Sequence, residues 1–194
     1  MHKLQMSGFY NIIFMYAKIF ENGGNDMDFK KFWYANLDRI VNDKLEAGKK
    51  SYIKSDTEES LYTTIEKASN LIGKQNLIGS LEYCGGCCID PDLIKNARQQ
   101  LEKLNDIDKV LEELNKEGIG GGKMHREGGN IYATYENCYC PLVEMEKEVP
   151  AVYCNCSRGW FKAFFGGLLK KDVEVELLSS IVRGGTCCEF IIHI

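Results

Sequence analysis

The C-terminal stretch Val173-Glu-Val-Glu-Leu-Leu-Ser-Ser-Ile-Val-Arg-Gly-Gly-Thr-Cys-Cys-Glu-Phe-Ile-Ile-His-Ile194 decides the fold class. Its first half alternates in part, and Gly184-Gly185 supplies a turn. The second half alternates cleanly, so that Cys188, Phe190, Ile192 and Ile194 share one face. That pattern is a terminal β-hairpin. Working back, Lys123 to Arg126 and Asn130 to Tyr135 flank Gly128-Gly129 and read as a second hairpin. Ala151-Val-Tyr-Cys154-Asn-Cys156 reads as a further strand. After it, Ser157 is placed to cap a short helix from Trp160 to Leu169.

Upstream of Gly118 the period changes. From Asp28 to Ala47, apolar residues at Phe32, Trp33, Leu37, Ile40, Val41 and Leu45 follow helical steps. Asp56-Thr-Glu-Glu-Ser opens a second helix with Leu61, Ile65, Ala68 and Ile72 as its stripe and Gly73 past its end. A third starts at Pro91 and runs through Leu101; a fourth carries Ile107, Val110, Leu111 and Leu114. Helices first and antiparallel strands later make an α+β fold, with N-terminal helices packed on a sheet formed mainly by the C-terminal third. The expected organisation is an N-terminal helical extension over residues 1–26 and one domain over 27–194. Within the extension, residues 6–20 are apolar but interrupted by Asn11 and Lys18, too short for a spanning helix. An apolar helix there is compatible with a homodimer.

Composition narrows the function classes. With 194 residues, 44% hydrophobic and 27% charged, the chain is long enough for one sizeable core. A net charge of −4 offers no general attraction for nucleic acid or an anionic membrane. Nine cysteines cannot all pair within the chain, which argues for reduced thiols and a cytoplasmic setting. They fall in four groups: Cys84, Cys87 and Cys88; Cys138 and Cys140; Cys154 and Cys156; and Cys187 and Cys188. In a strand, each C-x-C pair would place two thiols on one face about 6–7 Å apart, within reach of one ion or substrate. Adjacent Cys187 and Cys188 would point to opposite faces, so only one can join a site on the sheet. The glycine run Gly118-Ile-Gly-Gly-Gly-Lys123 is one residue short of a phosphate-binding loop and leaves a helix rather than entering one. His2, His125 and His193 are too scattered for a histidine metal site.

Taken in order, Cys154-Asn-Cys-Ser-Arg-Gly159, the aromatic helix, Val-Glu-Val-Glu176-Leu, Ser180-Ile-Val-Arg-Gly184 and Cys187-Cys-Glu-Phe-Ile-Ile192 resemble the vinyl-4-reductase-type, or hydrocarbon-binding, domains. The upstream Tyr83-Cys-Gly-Gly-Cys and Cys138-Tyr-Cys-Pro-Leu look like a bacterial branch near the L-2-amino-thiazoline-4-carboxylate hydrolase-like proteins. The resemblance implies helices on an antiparallel sheet, a pocket for a small apolar or aromatic ligand, and a structural zinc beside it. Glu176 and Cys187 fall where that family's glutamate and last cysteine fall. Ser179 replaces a cysteine, so Cys154 and Cys156 would have to complete the metal set. Trp160, Phe161, Phe164, Cys138 and Cys140 are the expected ligand-contacting residues. At the start of the aromatic helix, backbone N–H groups with Arg158 or Arg183 could hold a carboxylate.

Three functions follow as expectations. The first is a cytoplasmic binding or sensing domain for a small apolar or aromatic metabolite. The second is a cysteine- or metal-dependent hydrolase of a small cyclic acid, with Cys154 or Cys156 as nucleophile or ligand. The third, by fold analogy alone, is a structural subunit of the vesicle-tethering kind.

Overall fold

The computed structural model of this protein describes residues 26–45, 49, 53 and 59–194. The expected helical extension, with its apolar stretch 6–20, lies outside the described residues. Helix α1 spans Asp26–Lys44, α2 Leu61–Ile72, α3 Lys74–Cys87, α4 Pro91–Leu104 and α5 Ile107–Lys116. Strands β1 (His125–Glu127) and β2 (Asn130–Tyr135) follow, then the short α6 (Pro141–Met145) and the long α7 (Asn155–Leu169). Strands β3 (Glu174–Ser179) and β4 (Cys188–His193) complete the chain. The class is α+β: helices, mostly N-terminal, with a four-stranded antiparallel sheet in the order β1-β2-β4-β3.

Local chemistry places the helix ends. Ser60 accepts a hydrogen bond from Thr63 N at 3.1 Å to start α2, and Gly73 closes it with φ of 78°. Asp90 accepts from Asp92 N ahead of Pro91, and Asp106 accepts from Asp108 N at the start of α5. Helix α3 is absent from the period-based reading because Gly79, Gly85 and Gly86 dilute its stripe. Its buried face, Leu77, Ser80, Leu81, Cys84 and Gly85, nevertheless keeps helical spacing.

The segment read as a strand over Ala151–Cys156 is instead a 3-10 turn, Ala151–Cys154, running into α7. Tyr153 N donates to the Pro150 carbonyl at 2.9 Å, and the Asn155 side chain donates back to Val152 O at 2.7 Å. Those local bonds satisfy the backbone without a neighbouring strand. Ser157 therefore sits inside α7 rather than capping it.

One face of the sheet is buried and the other faces water, as antiparallel sheets allow. Ile131, Ala133 and Tyr135 of β2 pair with Ile192, Phe190 and Cys188 of β4, and Val175 and Leu177 of β3 pair with Ile192 and Phe190. This face packs on α7, where the Phe161 ring lies 4.7 Å from that of Phe190 and stacks on Tyr135 at 5.6 Å. The glycine run serves this packing: a Cβ on Gly121, whose φ is +88°, would lie 2.3 Å from the Thr134 carbonyl oxygen. Asn115 fastens the same loop through paired 2.7 Å bonds to Met124 N and O.

A second hydrophobic cluster gathers α1, α2 and α3 around Trp33, Tyr34, Leu37 and Leu61. The two clusters meet where α3 crosses α7, backbone against backbone. A Cβ on Gly85 would lie 1.8 Å from Cys156 O, and one on Gly159 would lie 1.8 Å from Glu82 O. Arg158 ties the crossing to the sheet, donating to Val175 O at 3.1 Å and pairing with Glu82 at 3.1 Å.

Because the obstructing atoms are main chain, Gly85→Ala and Gly159→Ala should each destabilise the fold by about 3 kcal/mol or more. Gly79→Ala, with open space around it in the same helix, should gain about 0.5–1 kcal/mol. Urea midpoints of the three variants at a common m-value check both signs.

Candidate functional site

Sheet, α7, the α3 terminus and α1 leave a cavity of about 70 Å³ between the two hydrophobic clusters. Its walls include Phe29 and Trp33 from α1, Tyr135 from β2, Trp160 from α7 and Phe190 from β4. Six of the nine cysteines also line it: Cys88, Cys138, Cys140, Cys154, Cys156 and Cys188. No charged side chain is among the described residues of the wall.

Four of the six thiols are fixed by local contacts. Cys88 follows α3 and donates to Cys84 O at 3.3 Å. Cys140 precedes Pro141 of α6 and lies 3.0 Å from the Tyr153 hydroxyl. Cys154 closes the 3-10 turn, 3.2 Å from the hydroxyl of buried Ser180. Cys188 accepts a hydrogen bond from Ile181 N at 3.4 Å. The C-x-C pairs do converge on one cavity, but by turns and helix rather than as neighbours on a strand face.

Five of the six lining thiols are held neutral. Burial pushes Cys138, Cys154 and Cys188 up, against smaller opposing effects from Cys140 backbone, Ser180 and Ile181 N–H hydrogen bonds. Burial likewise pushes Cys140 up to about 12 and holds Tyr153 well above its ordinary value. Cys156 is kept protonated first by its hydrogen bond with Cys88 and then by burial. A thiolate at this apolar wall would give up its solvation with no cation on the wall to replace it. Arg183, the one cation that favours ionised Cys154, is exposed and donates to Ala151 O at 3.4 Å.

The expected ligand contacts divide. Cys138, Cys140 and Trp160 line the cavity, whereas Phe161 and Phe164 are fully buried in the core beside it. The implied metal set does not come together: Cys154 and Cys156 reach the cavity, but Cys187 does not line it. Glu176 lies on the exposed face of β3 and accepts from His193 Nε2 at 2.7 Å, while His193 Nδ1 meets Asn130 Oδ1 at 3.1 Å. Strand alternation separates Glu176 from the cavity-facing Leu177. Among the described residues there is no group of three or more histidine, cysteine or acidic side chains arranged to hold a metal ion. Of the adjacent pair, the strand period turns Cys188 inward and Cys187 away.

The expected carboxylate cradle at the start of the aromatic helix is also absent. That helix starts at Asn155, and Arg158 is occupied with Val175, Asn155 and Glu82. The sequence reading missed Phe29, Trp33, Cys88, Tyr153 and Ser180. The buried stripe of α1 was legible, but nothing in its period says which neighbour it meets.

A family model described as a family of unknown function (DUF6144) matches residues 83–194. The chain belongs to this family. The DUF6144 match contains all nine cysteines and every residue of the cavity wall except Phe29 and Trp33. No curated protein and no solved structure matches the chain.

A buried thiol that ionises later than it does in the unfolded chain makes stability depend on pH. Between the ordinary thiol value of 9.0 and about 12, the folded chain holds the Cys140 proton and the unfolded chain loses it. Stability from this group is therefore complete below pH 9 and falls as pH rises through that window. The slope difference between the wild type and Cys140→Ala should approach about 1.4 kcal/mol per pH unit above pH 9 and vanish below it, by urea titration at each pH.

Proposed function

We propose that this DUF6144 protein is a cytoplasmic binding or sensing domain for a small, uncharged, largely apolar metabolite. The observation that carries the reading is a cavity lined by aromatic rings and cysteine thiols, with no charged side chain on its described wall. Ligand sites are mostly apolar with a few polar groups placed among them, and this cavity has that character. Nine unpaired cysteines suit a reducing compartment. The order of motifs resembling the hydrocarbon-binding domains points the same way. Among the described residues no helix is long and apolar enough to cross a membrane.

Volume limits the ligand. At about 70 Å³ the cavity is roughly half the ~150 Å³ that holds benzene in an engineered protein core, so an aromatic ring needs the walls to move. A smaller molecule fits as the cavity stands. The hydrolase reading fares less well on the same geometry. His125 is exposed and stacked on Tyr132, and His193 is on the outer face of the sheet, so neither offers the cavity a general base. Protonated thiols are poor nucleophiles, and an acid substrate would find no countercharge.

Native mass spectrometry of protein isolated from its own cells should show a small neutral adduct. Val143→Phe and Val182→Phe, each filling the cavity from a different wall, should lose the adduct and keep the wild-type circular dichroism. Adduct retention by both folded variants, or rapid turnover of a cyclic acid abolished by Cys154→Ala, would overturn the binding reading.

A further inference from the structure

An apolar wall can be built from alanine, valine or leucine, yet six of the nine cysteines line this one cavity, drawn from four separate stretches of the chain. Most of those sulfurs are tied to oxygen or nitrogen. Cys140 meets the Tyr153 hydroxyl, Cys154 meets that of Ser180, and Cys188 accepts from Ile181 N. Cys138 is hydrogen-bonded to the backbone of Cys140. Cys88 and Cys156 differ, because their thiols hydrogen-bond to each other. On one side the Cys88 thiol donates to Cys84 O at 3.3 Å, and on the other the Trp33 indole donates to the Cys156 sulfur. The pair is held rigidly as well. Cys88 caps α3 and Cys156 lies in the first turn of α7, where the two backbones touch. A Cβ on Gly85 would lie 1.8 Å from Cys156 O and 2.9 Å from Trp160 N. Cys88 N donates to Gly85 O at 3.1 Å, so the position of this residue follows the crossing.

We propose that Cys88 and Cys156 form a two-thiolate site for a soft monovalent cation, copper(I), on the wall of this cavity. The site does not depend on the metabolite reading above. Ligand count selects the ion. Structural zinc takes four ligands, and among the described residues no group of three or more histidine, cysteine or acidic side chains is arranged to hold an ion. Calcium and magnesium take oxygen ligands, and no carboxylate lines the described wall. Thiolate sulfur selects copper(I), which two opposed sulfurs can hold without further ligands. Charge points the same way. The wall lacks a cation to balance a thiolate, and an entering ion supplies one. One Cu⁺ and two thiols give one bis-thiolate copper anion and two protons released to solvent, with copper unchanged in oxidation state. A single negative charge remains, and the Trp33 N–H directed at the Cys156 sulfur is a donor to it.

The test titrates copper(I), supplied as its acetonitrile complex, into the reduced full-length protein without oxygen, in competition with a bathocuproine chelator. Native mass spectrometry should show one copper per chain. Because two protons leave, affinity should rise about a hundredfold per pH unit between about pH 6 and pH 8. Cys88→Ser and Cys156→Ser should each weaken binding by about a hundredfold or more. Cys187→Ser, away from the cavity, should bind as the wild type does. X-ray absorption at the copper edge of the wild type should show two sulfur ligands, and this measurement decides the matter even where a serine variant fails to fold. No binding in competition with the chelator, three or more sulfurs around the metal, zinc taken up in place of copper, or copper retained by both folded serine variants overturns the proposal. Each of those results leaves the metabolite reading to its own adduct test.

Discussion

The crossing of α3 and α7 at Gly85 and Gly159 is the constraint on which the rest of the structure depends. With no side chain at either position, carbonyls of one helix sit where a Cβ of the other would be. That approach has two effects. It presses the α1–α3 cluster against the α7–sheet cluster, and it fixes where the last turn of α3 delivers Cys88 relative to the start of α7, which delivers Cys154 and Cys156. A methyl group at the crossing would push these elements apart and open the cavity to water. The arrangement is held laterally by Arg158, which is why that guanidinium serves α3 and β3 rather than a ligand.

The apolar wall then sets the chemistry. Six sulfurs near one another suggest a metal centre or a nucleophile when read as a list of residues. With no lining cation, burial holds Cys138, Cys140, Cys154 and Cys188 as thiols, and the hydrogen bond with Cys88 together with burial holds Cys156. Their pairwise hydrogen bonds with Tyr153, Ser180 and one another satisfy them as neutral groups. That neutrality suppresses thiolate chemistry. The polar apparatus of the molecule, including the Glu176–His193–Asn130 chain, is placed on the opposite, hydrated face of the sheet.

Much of this architecture was legible in the sequence because it is local. The stripes of α1, α2, α4 and α5, the Ser60 and Pro91 helix starts and the alternation of β4 follow from spacing and short-range hydrogen bonding. The departures have local causes as well. Residues 151–156 contain good strand formers, yet the Asn155 side chain and Pro150 close a turn that continues into the aromatic helix. Once that segment is helical, Cys154 and Cys156 no longer share a face by period; they reach one cavity because the 3-10 turn ending at Cys154 runs straight into α7.

By itself, the sequence determined the class of fold and the shared face of Cys188, Phe190 and Ile192 on the last strand; the expected site residue Cys187 was carried by the family resemblance, and the structure puts Cys188 at the cavity instead. Fold class and shared face depend on periods of two and 3.6 residues, which a linear chain carries intact. Tertiary structure alone decided that Phe29 and Trp33 would meet Trp160 across the cavity, and that Glu176 would be separated from the thiols. Those outcomes depend on the distance between two helices far apart in the chain, and glycine residues mark that distance only when the opposing backbone is in view.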